Sequence, residues 1–391
     1  MFIDPNSPYF GITADCADSA YLFRAIFSYE NYLPFAIIDP QSYSNGLSSR
    51  ENLKVFSNDS SQFNQIQDPN KRFIAFANRV AASVGTWSLK TLDTYPIALE
   101  NLRPGDIYHY EIDKDTATIR HTVSVKDMDA FGNFSFIYST QSIKKSNVDF
   151  FKQAALGRIP AESKKTRRLM FKTGQSANYV PDSRSGGFRR FIWPRYLKSN
   201  PDQYPASWNY SLSQFELSES MNSKEFALHV KKIHATQDEG LTNKVKRQLD
   251  NLCQQLQERV ETVNESIWYQ EKIKSEQSRT CMNYEEFDTY STPMRDSEIR
   301  KAFEEVLSQV QKDHLDRLPS DLKSTLTALM NKQGESNDFC TTEIATGQNT
   351  NLIQLYNSLQ EEKLSSDPNQ SAAARWGMDK EAGSNCQVFY N

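Results

Sequence analysis

Eight apolar residues, Leu241, Val245, Leu249, Leu252, Leu256, Val260, Val263 and Ile267, step along the chain by 4, 4, 3, 4, 4, 3 and 4. That period is helical and the stripe is narrow, so the spacing predicts a long helix burying one seam in a helical hairpin or short coiled coil. Ile299, Phe303, Val306 and Val310 predict a second helix beginning near Asp296. Leu318, Leu322, Leu326 and Leu329 predict a third, capped at Ser320 with Pro319 beside it. Residues 221–335 therefore read as mainly α-helical. From 336 to 391 Ser, Asn, Gln and Thr dominate, and a loosely structured polar tail with one short helix at 352–364 is expected.

The N-terminal third has a different period. Ile119, His121, Val123 and Val125 alternate with Arg120, Thr122 and Ser124, which predicts a strand carrying His121 on its apolar face. Residues 129–133, Asp-Ala-Phe-Gly-Asn, predict a hairpin turn, and Phe134, Phe136, Tyr138 and Thr140 share a face of the return strand. Earlier, Cys16, Ala20, Phe23 and Phe27 follow helical spacing and predict a helix that Pro34 ends. Cys16 then lies in the first turn, where spare N–H donors and partial positive charge favour a thiolate. A cysteine at a helix start and an imidazole on the core side of a sheet are the two parts of a nucleophilic cysteine site.

The order Asp15-Cys16, then Pro104-Gly105-Asp106, then a strand beginning at His121 resembles the NlpC family of papain-like cysteine peptidases across roughly residues 1–145. The resemblance implies an α+β fold: a papain-like catalytic domain of helix plus antiparallel sheet over 1–150, followed here by a basic irregular segment (151–220), the helical region (221–335) and the polar tail (336–391). It also implies amide hydrolysis of peptidoglycan stem peptides, with Cys16 as nucleophile, His121 as base and no cofactor or metal. The residue that orients the imidazole falls by the same match on Tyr138, where the family mostly has His, Asn or Gln. A one-residue register change would offer Gln141 instead. A transglutaminase-like domain, a papain-like acyltransferase or lipid hydrolase, and an inactive envelope scaffold are the competing expectations.

Composition bounds the partners. A net charge of −4 over 391 residues gives no overall attraction to nucleic acid. No apolar run approaches the ~20 residues of a membrane span. Between 152 and 198, however, twelve Lys and Arg face only Glu162 and Asp182, with aromatics among Arg189, Arg190 and Arg195. That segment is expected either to hold an anionic envelope polymer or to pack on the acidic helical region, which is itself a candidate protein-binding surface. Setting Cys16 aside, Cys253, Cys281, Cys340 and Cys386 suffice for two disulfides in any of three pairings. Their spacing and that of the histidines suit no zinc site. With the envelope substrate, this points to a periplasmic or secreted bacterial protein whose N-terminal signal has been trimmed; reduced cysteines would place it in the cytoplasm.

Overall fold

The computed structural model describes residues 7–10, 12, 14–44, 50–114, 117–139, 151–155, 187–221, 223–310, 314–331, 339–379 and 384–389. The architecture is α+β: an N-terminal helix on an antiparallel sheet, then a mainly helical region with one long helix. Two compact units divide at 238/239, and part of the basic segment, Gly187–Phe191, belongs to the sheet of the first.

In the first unit, helix α1 (Cys16–Glu30) begins where its sequence says it should. Asp15 Oδ1 accepts the N–H groups of Ala17 (2.9 Å) and Asp18 (3.0 Å), and the Asp18 carboxylate accepts the Asp15 N–H in return. This reciprocal cap satisfies three of the helix's end donors and contributes about 1 kcal/mol. The face it buries runs through Ala17, Tyr21, Leu22 and Ala25; Phe27, on the expected stripe, is 60% exposed. Helix α2 (Pro69–Ala81), capped by Asp68, packs Phe73, Phe76, Ala77 and Val80 against α1.

Strands β1 (Ala36–Ile38) and β2 (Val55–Ser57) form a small ribbon. Strands β3 (Thr94–Pro96), β4 (Ile107–Lys114), β5 (Ala117–Met128), β6 (Phe134–Ser139), β7 (Phe151–Ala155) and β8 (Gly187–Phe191) make a sheet in the order β3-β8-β4-β5-β6-β7. Every pairing is antiparallel. Both faces are covered. Ile107 and Phe191 pack with α1 and α2. Tyr108, Val123, Val125, Phe134, Phe136 and Phe188 pack with Phe215 of α3 (Ser213–Ser220) and with Phe226 and Val230 of α4 (Ser223–His234). Apolar side chains are thus needed on both parities of a strand, and simple alternation no longer identifies one core face.

The turn at 129–133 docks on the end of α4. Gly132 has φ +73°, and a Cβ there would land on the Lys231 carbonyl oxygen. Ala130 O accepts the N–H groups of Thr236 (2.9 Å) and Gln237 (3.0 Å).

Arg189 and Arg190, expected on a polymer-binding surface, are buried structural residues. Arg189 donates to Thr94 Oγ1 (2.9 Å) and Lys90 O (2.8 Å). Arg190 forms a two-pronged pair with Asp106 (2.6 and 2.7 Å) and donates to Asn101 O. The Pro104-Gly105-Asp106 turn, where Gly105 has φ +89°, therefore fastens β8 beside β4.

The second unit contains α5 (Leu241–Gln277), α6 (Tyr284–Tyr290), α7 (Pro293–Gln309), α8 (Ser320–Asn331) and α9 (Leu352–Gln360). The stripe Val245, Leu249, Leu252, Leu256, Val260 and Val263 is buried, but in a multi-helix core and not a two-helix seam. Phe303 and Val306 of α7, Leu326 and Leu329 of α8, and Ile353 and Leu355 of α9 all join it. The expected loose tail is instead built in. Its polar residues serve as caps: Asn351 Oδ1 accepts the N–H groups of Ile353 (3.0 Å) and Gln354 (2.9 Å) to start α9. Buried Arg259 pairs with Asp296 (2.8 Å), donates to Arg375 O (3.1 Å), and lies 4.5 Å above the Trp376 ring.

Two disulfides, Cys253–Cys340 and Cys281–Cys386, staple this unit. They suggest an extracytoplasmic protein. No helix among the described residues is long and apolar enough to cross a membrane.

Candidate active site

Cys16 is half-buried where α1 meets β5. Its Sγ lies 4.0 Å from Thr86 Oγ1 and receives the backbone N–H of Thr122. Burial pushes the thiol pKa up to about 11, and the carboxylates of Asp15 and Asp18 push the same way; the Thr122 and Thr86 donors pull against them. The helix start does not favour a thiolate here. The same Asp15 that caps the helix opposes ionisation of the residue after it, and desolvation outweighs the dipole.

Across from Thr122 in the ladder stands His109 of β4. Its Nδ1 is 3.2 Å from Thr122 Oγ1, and both residues are 0% exposed. No polar–apolar rhythm in Ile107-Tyr108-His109-Tyr110 marks His109. The signal that could have found it is the Pro-Gly-Asp turn, which opens the strand three residues earlier.

His121 pairs with Tyr110 in β5, one residue before Thr122, and has the parity of Val123 and Val125. Tyr138 pairs with Lys152 in β6, with the parity of Phe134 and Phe136. Those four neighbours pack on the α3–α4 side of the sheet. The side chains of His121 and Tyr138, and all of Gln141, lie outside the described residues. The structure brings the backbone of residue 122 to Cys16.

Beneath α1, the Asp93 carboxyl receives the Tyr21 O–H (2.6 Å) and the Ile38 N–H (2.8 Å). Burial raises its pKa to about 7 in spite of those donors and of Arg50 and Arg24 nearby. Among the described residues no group of three His, Cys, Asp or Glu could hold a metal ion. No protein-family model, no curated protein and no solved structure matches this chain.

Proposed function

We propose that the first unit is a papain-like cysteine hydrolase of amide bonds, with Cys16 as nucleophile and an imidazole of the β4–β5 hairpin as base. The observation that carries this reading is Cys16 itself. A thiol at a capped helix start lies against β5, where Thr122 is directly opposed by His109 of β4. The thiolate would attack a carbonyl, backbone N–H groups around Cys16 would hold the oxyanion, and the imidazolium would protonate the leaving amine.

The NlpC resemblance supplies the finer reading. It gives the base and orienting roles to His121 and Tyr138, and makes the substrate a stem peptide of bacterial peptidoglycan in the periplasm or outside the cell. The two disulfides suit that compartment. The test is incubation with purified muropeptides, reading new amino groups and split peptide masses. Cleavage that disappears in Cys16→Ala supports the reading, whereas cleavage that survives the substitution removes it. The second reading is an inactive envelope-binding protein, and the elevated thiol pKa favours it. Absence of cleavage together with an inert Cys16 would establish that reading.

A further inference from the structure

We infer that the group that deprotonates Cys16 is His109, not His121, an assignment that rests on the hydrolase reading above. Strands β4 and β5 pair from Ile107↔Ser124 to Lys114↔Ala117 without a register shift, so parity along them is strict. The described side chains label the two faces. Ile107 belongs to the cluster containing Ala17, Ala20 and Tyr21 of α1. Tyr108 and Val123 belong to the cluster containing Phe226 and Val230 of α4. His109 has the parity of Ile107, and its directly opposed partner Thr122 accompanies it on the α1 face. Position 121 has the parity of Val123.

Thr122 links the two groups physically. Its N–H donates to Cys16 Sγ, and its hydroxyl meets His109 Nδ1 at 3.2 Å. Directly opposed residues in such a ladder have Cβ atoms roughly 4.5–5.5 Å apart, which sets His109 within one residue of the sulfur's own hydrogen-bond donor. The hydroxyl holds one ring nitrogen and thereby fixes the ring's orientation, one of the tasks of a triad's third member. A buried, desolvated thiol needs such a base because it does not ionise unaided near neutral pH.

The step balances without a co-reactant beyond water. The Cys16 S–H proton passes to His109, and the sulfur lone pair forms a C–S bond at the substrate carbonyl. The tetrahedral adduct then collapses, the C–N bond breaks, and the leaving amine takes the proton from the imidazolium. Water, deprotonated by His109, attacks the thioester, releases the acid and returns the proton to the thiol.

The experiment is the pH–rate profile of iodoacetamide alkylation at Cys16 in the full-length oxidised protein, read by mass spectrometry. His109→Gln should alkylate at least tenfold more slowly than wild type at pH 7.5, with the gap closing as the pH approaches 10. Thr122→Val, which keeps the shape and removes the hydroxyl, should give a smaller loss in the same pH range and covers the case of a poorly folded His109→Gln. A profile moved by His121→Gln and unchanged by either of the other two variants overturns the assignment and leaves the hydrolase reading standing. A wild-type Cys16 that alkylates only as a thiol of pKa near 11 overturns both.

Discussion

The two units use the same residue types for opposite purposes. In the second, all four cysteines are spent on cross-links, and a helical core gathers residues from α5, α7, α8 and α9 around one continuous apolar stripe. In the first, the single cysteine remains a thiol against the sheet, and buried arginines hold carbonyls and carboxylates, as Arg259 does in the second, but with no disulfide beside them. Covalent staples suit a unit whose polar terminal segment must be held on its core. A thiol left unoxidised beside a strand pair suits chemistry. The two disulfides enclose 87 and 105 residues of separation, long loops whose closure removes most from the unfolded ensemble.

The largest expected break in this contrast comes from the staples. Replacing Cys253 and Cys340 with Ser should cost about 4 kcal/mol, read as lost hydrogen-exchange protection in peptides from 241–379. Peptides from the first unit should keep theirs; equal loss in both would erase the contrast. Next is Asp106→Ala, which strands the buried Arg190 guanidinium. It should cost about 3 kcal/mol in a guanidinium titration, with lost protection in β8. A change under 0.5 kcal/mol would show that the turn does not hold that strand. Gly132→Ala, placing a Cβ on Lys231 O at φ +73°, should cost about 2 kcal/mol and release the hairpin turn from α4.

The last effect is electrostatic and is read as a slope against pH. Asp93 titrates near 7 when folded and, as an ordinary carboxyl, near 4 when unfolded. The folded state therefore binds the proton more tightly between those values. The stability this contributes is complete below about pH 4 and is lost as pH rises through 7. One group gives at most about 1.4 kcal/mol per pH unit. Asp93→Asn should flatten that slope over pH 4–7, and an unchanged slope would place the titration elsewhere.

How far the sequence could be read follows from the same contrast. The second unit's long helix was legible because the stripe from Val245 to Val263 keeps one period and one buried side. Its tail was not, since Asn351 and its neighbours look like linker composition until they are seen capping helices. In the first unit the start of α1 was legible from Asp15-Cys16. The sheet was harder, because it is covered on both faces. Thr122, which alternates with the apolar residues beside Arg120 and Ser124, is fully buried next to Cys16. His109 sits in a run with no rhythm at all. The insertion of β8 between β3 and β4 joins positions some ninety residues apart, which no local pattern announces. Arg189 and Arg190 looked like a charged surface for that reason.

The central claim is that one cysteine does chemistry and four hold structure. Labelling the native, unreduced protein with iodoacetamide at pH 8, digesting it without reductant and mapping every cysteine by mass spectrometry tests that directly. The account predicts label on Cys16 alone, in step with loss of peptide cleavage, and two linked peptide pairs joining Cys253 to Cys340 and Cys281 to Cys386. Label on any of those four, or full activity after Cys16 is alkylated, would contradict it.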